Sequence, residues 1–518
     1  MSASEEGAGR ALMTNSGSSR AGRLFQGWSA NLFQLLLGIV QQVALVPVFL
    51  YFWNSATLSA WLTIFAAGNL ILAADAGLHM WSLNRFLSFK SRNDCDRRTG
   101  RYYGAVFQLF VWFTVLFAIL LLAIFGLIAP SNVLGFSAEP GFDLGFAVMT
   151  LGVVFTLPVN LASSLYRARG FYGRIVAMQS WGMAIGQLGQ IIGVIATGSL
   201  LVVVVAYIVG QLVTTLFILF VDVRRQFPFI RNFRQRISWR WTIGQFVGAF
   251  PFAIMNFAEA GLSYISVLLI GVFVSDRIAI AQWGLTRTIA TMLRGLCVQM
   301  TLPLAAELGH DHAVGAKDAL QRLYTRGSTG LALFASAITS GALVFWPDFF
   351  AIWTHGAIPY DASLANTLLL GMCIGAPAIL ALSYANYSNR GPLLLWTKSL
   401  QLVLFLVLSI VLIPRLGPLG AAIALVSSDI IAQSGVLFVV IVGETLEHPI
   451  RHVLFLIAMI LSIVSTGVAV GVGIRYLLPG SGIPHFLMEC TFWLAAVALL
   501  VSPVLNKSLR DRLGPVFS

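Results

Sequence analysis

The second half of the chain repeats the first about 220 residues later, and this repeat constrains the fold more than any other feature. Trp61 and Trp283 each open a hydrophobic run and stand 222 positions apart. The other recurrences, spaced by 219 to 221 residues, are Arg101-Tyr102-Tyr103 with Arg322-Leu323-Tyr324, Arg169-Gly170 with Arg390-Gly391, and Pro158 with Pro377. Several matches at nearly one offset indicate a duplicated helical bundle. Internal duplication, with a binding site at the repeat interface, is typical of many secondary transporters.

Hydrophobic segments long enough to cross a bilayer recur along the chain. The composition is 58% hydrophobic and 10% charged, whereas soluble domains are about 25% charged. A membrane helix needs about 20 apolar residues, and fourteen segments meet that length. We number them spans 1 to 14: 28–52, 58–80, 102–128, 142–166, 174–197, 200–221, 244–272, 278–304, 327–346, 363–388, 392–413, 418–442, 452–474 and 485–505.

The spans predict an all-α polytopic membrane protein with about 14 transmembrane helices. Two six-helix bundles, 28–221 and 244–442, are related by the internal repeat and joined by a basic cytoplasmic linker, 222–243. Residues 443–518 hold two extra transmembrane helices and a cytoplasmic tail. Residues 1–27, rich in Ser, Gly and Ala, are predicted to be a disordered cytoplasmic tail.

The net charge of +12 is a topology signal and not evidence of a nucleic-acid partner. With the N-terminus in the cytoplasm, the inward loops and tails take most Lys and Arg residues, with Lys398 counted among them. The outward loops keep only Arg277, Arg415 and Arg475. This asymmetry follows the positive-inside rule, so both termini are predicted to be cytoplasmic. Attraction to anionic membrane lipids is a secondary consequence.

Arg287 and Arg294 in span 8 are the strongest candidate binding residues. Seven residues turn a helix by about 700°, so both share one face, about 10.5 Å apart along the axis. Each costs about 2.5–3.5 kcal/mol at the bilayer centre, so the pair is expected to line a cavity or to meet acids. Glu259 in span 7, on one stripe with Asn256, is a candidate partner. A structural ion pair between Glu259 and one arginine is the alternative interpretation.

Further polar groups lie within the predicted spans. Asp75 and Asp429 are buried acids and, with Glu259, are candidates for ion coupling. Asp75 precedes His79 by one turn, and a role at the membrane boundary is the favoured interpretation for that pair, with ion coupling as the alternative. The candidate cavity-lining amides, besides Asn256, are Gln41, Gln42, Asn69 and Gln187. The sequence predicts no metal site and no cofactor. It holds no Gly-Lys dipeptide and therefore no Walker A loop, and no enzyme activity is expected.

The chain resembles the polysaccharide-flippase branch of the MOP superfamily, the Wzx-like O-antigen and exopolysaccharide translocases. The resemblance rests on the duplicated six-span halves, on Arg390-Gly391 after span 10, and on the segment Ile413-Pro414-Arg415-Leu416-Gly417-Pro418-Leu419-Gly420-Ala421-Ala422. It covers spans 1–12. Spans 13 and 14 depart from the twelve-span pattern. The lipid II flippase branch has fourteen spans, but its arginine in the first span is missing here.

This resemblance implies a MATE-like fold and a secondary transporter of the bacterial inner membrane. The implied cargo is a polyprenyl-pyrophosphate-linked oligosaccharide for O-antigen (lipopolysaccharide), capsule or exopolysaccharide assembly. Arg287 and Arg294 would then hold the pyrophosphate. A polysaccharide polymerase and export machinery are the implied protein partners.

Two other functions stay open from the sequence. A multidrug or organic-ion antiporter of the same fold is the nearest rival, although cationic cargo favours an acidic cavity. A membrane-embedded glycosyltransferase or polymerase is the second, although such enzymes usually carry a large outward loop. No outward loop here exceeds about twenty residues between the predicted spans.

Overall fold

The computed structural model describes residues 33–34, 36–75, 77–89, 97–230, 238–388, 390–478, 480 and 482–505. The predicted disordered tail, 1–27, lies outside the described residues. So do positions 231–237 of the basic linker and 506–518 of the C-terminal tail.

All fourteen predicted spans are helical within the described ranges, which confirms the all-α fold with two six-helix bundles and two extra C-terminal helices. Helices suit these apolar segments because lipid offers no partner to backbone polar groups. Nine of the described helices are long and apolar enough to cross a membrane. In order, the spans are Leu36–Phe52, Ser55–Ile71 continued by Leu78–Ser88, Arg98–Leu127, Phe142–Ala168, Tyr172–Thr197, Leu200–Gln226, Trp239–Phe273, Ile278–Val314, Lys317–Trp353, Ala362–Tyr387, Gly391–Leu416, Pro418–Thr445, Pro449–Leu477 and Ile483–Leu505.

The described residues form two compact units. The first comprises the residues up to Leu45 together with Gly68–Ser131 and Pro140–Asn256. The second comprises Val46–Ala67, Asn132–Glu139 and the residues from Phe257 onward. The second unit therefore takes in two segments from the first half of the sequence, the region around the loop between spans 1 and 2 and the loop between spans 3 and 4.

Small residues hold the helices of the first unit close together. A Cβ atom at Gly210 in span 6 would lie 2.8 Å from the backbone nitrogen of Gly186 in span 5. A Cβ atom at Gly152 in span 4 would lie 2.3 Å from Cγ2 of Ile208. Close backbone approach of this kind is how membrane helices gain packing energy without a hydrophobic driving force.

Span 2 is broken in its second half. The helix tightens to a 3₁₀ turn at Leu72–Asp75 and restarts at Leu78, after Gly77 with φ +68°. A Cβ atom at Gly77 would lie 2.4 Å from the backbone nitrogen of Ala253, so both conformation and space require glycine there. The break places Asp75 inside the first unit.

Spans 13 and 14 belong to the second unit and pack against span 9. The Trp493 side chain of span 14 donates to the carbonyl oxygen of Gly467 in span 13, at 3.1 Å. A Cβ atom at Gly341 in span 9 would lie 2.7 Å from the Trp493 ring. Arg475 of span 13 pairs with Asp348 of span 9 at 2.6 Å. Spans 13 and 14 are thus held in the second unit by the packing of the Trp493 indole against glycines and by one ion pair.

Arg277 ties the loop between spans 3 and 4 to the rest of the second unit. Its Nη1 donates to the carbonyl oxygens of Leu134 and Gly271, both at 2.8 Å, and of Val274 at 3.2 Å. A Cβ atom at Gly135 would lie only 1.7 Å from Nη2 of Arg277, so the guanidinium occupies the space that a side chain there would need. Burial lowers the pKa of Arg277, whereas the neighbouring carboxylate of Asp276 raises it.

We expect Arg277→Ala to lower the free energy of unfolding by about 1.5–3 kcal/mol, the usual value of hydrogen bonds from a charged group. Thermal unfolding of the purified protein measures the loss. Arg415→Ala, which removes an exposed arginine, is the matched control. Equal unfolding temperatures for the two variants would show that the hydrogen bonds of Arg277 contribute nothing to stability.

Candidate functional site

Span 8 carries the two predicted arginines on one continuous helix. Nη1 of Arg287 donates a short hydrogen bond to the carbonyl oxygen of Ser263 in span 7, and its guanidinium lies 6.0 Å from the centre of the Trp283 ring. No described carboxylate forms an ion pair with Arg287. The positive charge of Arg287 is therefore held by a backbone dipole and an aromatic face alone.

Glu259 pairs with Lys398 of span 11. The Lys398 ammonium lies 2.5 Å from Oε1 of Glu259, and the side chains of Lys398 and Glu259 are 3% and 55% exposed. Arg294 acts electrostatically on the Glu259 carboxylate without forming an ion pair with it. The expected structural ion pair at Glu259 therefore exists, but its basic member is a lysine instead of an arginine.

Asp429 of span 12 joins Arg294 to two glutamines. Nη1 of Arg294 lies 3.8 Å from Oδ1 of Asp429, and Nε2 of Gln401 donates to the same oxygen at 2.8 Å. Nε2 of Gln433 donates to Oε1 of Gln401 at 2.9 Å, and the Lys398 ammonium lies 3.4 Å from that oxygen. Side chains from spans 7, 8, 11 and 12 thus form one polar network within the second unit.

Spans 7, 8, 11 and 12 carry more positive than negative charge at this site. Within the network, Arg294 and Lys398 are matched by the carboxylates of Glu259 and Asp429. Arg287, on the same helix as Arg294, forms no hydrogen bond or ion pair with these network residues among the described residues. Intramembrane charges are usually paired or functional because an unpaired one is costly. The surplus charge, located at Arg287, suits an anionic ligand. A guanidinium can grip phosphate oxygens through two parallel hydrogen bonds.

The prediction that Lys398 lies in an inward loop is wrong. The residue lies within the helix Gly391–Leu416 and is 2% exposed. Lys398 stood only six positions inside the predicted start of span 11, so its charge was counted with the adjacent loop. The missed signal is a polar stripe at helical spacing, Thr397, Lys398 and Gln401, all of which are buried. Gln401 was missed for the same reason.

Span 12 departs from α-helical geometry directly after Asp429. Residues Ile430–Phe438 form a π-helix, and Gln433 lies within it. π-Helical segments within α-helices frequently occur at functional sites. A Cβ atom at Gly375 of span 10 would lie 2.8 Å from Oδ2 of Asp429, so glycine leaves room for the carboxylate.

The predicted amides belong largely to the first unit. Gln187 of span 5 is buried, and its Nε2 donates to Oε1 of Gln41 at 3.0 Å and to the carbonyl oxygen of Leu37 at 2.9 Å. These contacts join span 5 to span 1, so Gln187 and Gln41 satisfy one another. The other predicted amides of this unit, which are partly or fully exposed, are Gln42, Asn69 and Asn256.

Asp75 lies at the break of span 2 and is fully buried. Its Oδ1 accepts from the backbone nitrogen of Gly77 at 3.0 Å, and its Oδ2 lies within a short hydrogen bond of Nδ1 of His79. Nδ2 of Asn160 in span 4 approaches Oδ2 at 3.4 Å. The carboxylate thus holds the turn before the restarted helix and is paired with the His79 imidazole.

Solved transporter structures share the fold of this chain. Lipid II flippase MurJ in an inward closed conformation superposes with a TM-score of 0.72, covering 93% of this chain and 99% of MurJ, at 14% sequence identity. An inward-facing multidrug resistance MATE family transporter of the MOP superfamily gives 0.60, covering 84% and 96%, at 15% identity. The Vibrio cholerae MATE transporter VcmN in the bent form gives 0.51, covering 83% and 98%, at 16% identity.

No family model matches the sequence, and no curated relative matches it. At 14–16% identity the likeness is one of fold. The chain therefore has the MATE-like fold of MOP-superfamily transporters and is a multi-pass membrane protein.

Proposed function

We propose that this protein moves a polyprenyl-pyrophosphate-linked oligosaccharide across the bacterial inner membrane by alternating access. The observation that supports this most strongly is the guanidinium charge of Arg287, which has no carboxylate partner among the described residues and lies on the same helix as the networked Arg294. A pyrophosphate is the type of anion for which guanidinium groups are suited, because a planar fork matches its oxygens. The fold shared with a lipid II flippase supports a lipid-linked cargo.

Each predicted residue then has a role. Arg287 and Arg294 hold the pyrophosphate, the amides Gln41, Gln42, Asn69, Gln187 and Asn256 contribute to the sugar path, and the prenyl tail stays in lipid. Coupling to an ion runs through Asp75, Asp429 or Glu259. Of these three, Asp75 is the one paired with an imidazole, His79, whereas Glu259 and Asp429 are engaged by cations.

The cellular setting proposed is O-antigen, capsule or exopolysaccharide assembly, with both termini in the cytoplasm. The protein delivers cargo and performs no chemistry on it. A polysaccharide polymerase and export machinery would receive the cargo on the outer side.

A multidrug antiporter is the second candidate, since several of the structures with this fold are MATE transporters. Organic cations need a carboxylate that is free to receive them. In the second unit Lys398 engages Glu259, and Arg294 and Gln401 engage Asp429. This charge balance favours anionic cargo.

Reconstituted vesicles test the two functions side by side. We expect the protein to flip a fluorescent polyprenyl-pyrophosphate oligosaccharide, seen as loss of protection from a membrane-impermeant quencher. It should not move a fluorescent organic cation in either a proton or a sodium gradient. Vesicles with protein in which both Arg287 and Arg294 are replaced by Gln serve as control. Cation transport without lipid flipping would overturn the proposal in favour of the antiporter.

A further inference from the structure

The ends of spans 4 and 6 in the first half have counterparts at the ends of spans 10 and 12 in the second. Tyr166 and Tyr384, 218 positions apart, are both buried tyrosines. Asp222 and Glu444, 222 positions apart, each bind an arginine. The hydroxyl of Tyr166 donates to Asp222, whereas the hydroxyl of Tyr384 lies 3.0 Å from Nδ1 of His312. The two halves therefore place a buried tyrosine and an arginine-bound acid at corresponding positions, with different hydrogen bonds, and the surroundings of these two corners can be compared.

In the first unit an aromatic side chain fills this corner. The Phe227 ring, which follows span 6, lies 5.0 Å from the Tyr166 ring and 5.9 Å from the Phe171 ring. Phe227 is 3% exposed. Arg224 and Arg225 stand just before it, so the filling segment combines basic residues with a buried phenylalanine.

In the second unit the corresponding corner has no ring from the segment after span 12, and the rings next to Tyr384 are those of His312 at 5.9 Å and Tyr324 at 6.2 Å. The chain after span 12 runs through Leu446 to Pro449 and directly into span 13, so no aromatic residue follows at the equivalent place. A cavity of about 480 Å³ remains, within the usual range for ligand sites. Tyr384, 1% exposed, forms part of its lining.

Carboxylates dominate the rim of this cavity. Neither Asp311 nor Glu447 forms an ion pair with any described residue, and both line the cavity. Lys317 is the unpaired cation on the same rim, because Arg390 is bound to Glu444. Two free carboxylates face one ammonium, so the cavity favours a ligand with positive charge.

We propose that the cavity binds a segment of a partner protein in which a phenylalanine-like ring follows basic residues. The ring packs on the Tyr384 side of the cavity, as Phe227 packs on Tyr166, and the basic side chains lie toward Asp311 and Glu447. This docking site is separate from the arginine network and does not depend on the nature of the cargo. It provides a place where a protein on the inward side can attach to the transporter.

A peptide taken from this chain serves as the probe. A labelled peptide of residues 223–229, Val-Arg-Arg-Gln-Phe-Pro-Phe, is titrated with the full-length purified protein, and fluorescence anisotropy is recorded against protein-free micelles. Two double variants are compared with the native peptide and protein. One is a peptide with Phe227→Ala and Phe229→Ala, and the other is a protein with Asp311→Asn and Glu447→Gln. The protein with Glu307→Gln and Asp318→Asn, which loses two exposed carboxylates outside the cavity, is the matched control.

We expect saturable binding that weakens about tenfold in the cavity variant, since two exposed charge pairs are lost, and at least as much with the alanine peptide. The control variant should bind like the native protein. A further variant, Gln321→Trp, fills the cavity and should also weaken binding at normal protein abundance. Absence of saturable binding, or binding unchanged by either the cavity variant or the alanine peptide, would overturn the proposal.

Discussion

Replacement of Glu259 by Ala should destabilise the protein more than replacement of Lys398 by Met. Lys398 is 3% exposed, so removal of Glu259 leaves a buried ammonium with only the Gln401 oxygen, 3.4 Å away. Breaking a buried ion pair from one side typically costs 3–5 kcal/mol, or about 3 kcal/mol here because Glu259 is 55% exposed. Removal of Lys398 leaves a half-exposed carboxylate, which water at its exposed face can partly solvate, so the loss of stability is smaller.

The double variant Glu259→Leu, Lys398→Met isolates the pair. It removes both charges and should recover most of the lost stability, since an apolar pair can replace a buried ion pair at little cost. Protein abundance and thermal unfolding in one detergent provide the measurement. A Lys398→Met variant less stable than Glu259→Ala would show that the exposure of the two side chains does not decide the cost. A harmless Glu259→Ala would show that the pair is not structural.

Arg287→Ala should weaken cargo binding more than Arg294→Ala. A charge-assisted hydrogen bond to phosphate is typically worth about 1.5–3 kcal/mol, equivalent to about 10- to 150-fold in affinity. Arg294 already forms an ion pair with Asp429, 3.8 Å away, whereas Arg287 has no carboxylate partner among the described residues. We therefore expect the upper part of this range for Arg287 and the lower part for Arg294.

Lysine substitutions separate charge from geometry at the same sites. Arg287→Lys should recover only part of the affinity because an ammonium cannot form the bidentate fork. Equilibrium binding of a labelled polyprenyl pyrophosphate, with protein abundance recorded for each variant, measures both effects. Equal affinities for Arg287→Ala and Arg294→Ala would contradict the assignment of the surplus charge to Arg287.

Hydropathy was sufficient to predict the fourteen helices, because each span has to satisfy its own backbone in lipid. Arg294 and both acids, Glu259 and Asp429, prove to lie in one network of the second unit, and Arg287 lies about two turns away on the helix of Arg294. The pairing inside that network was not predictable. It depends on which faces of spans 7, 8, 11 and 12 meet, and spacing along one helix does not determine contacts with another. Lys398 was not recognised as a member of the network because a charged residue near a predicted span boundary is easily assigned to the adjacent loop.

The break in span 2 likewise could not be predicted from the spacing of residues along one helix. The sequence placed Asp75 and His79 one turn apart in span 2 and favoured a role at the membrane boundary. The break at Gly77 depends on the backbone of Ala253, which lies 2.4 Å from the place of a Cβ atom. A contact between positions so distant in sequence leaves no local pattern.

The affinity of the protein for polyprenyl pyrophosphate, compared with that for a polyprenyl alcohol of equal length, tests the anion site most directly. We predict that the native protein prefers the pyrophosphate strongly and that replacement of Arg287 and Arg294 by Gln abolishes this preference. Arg415→Gln, which removes an exposed arginine, should leave the preference intact. An undiminished preference in a normally abundant protein with Gln at both sites would contradict the central role given to the two arginines.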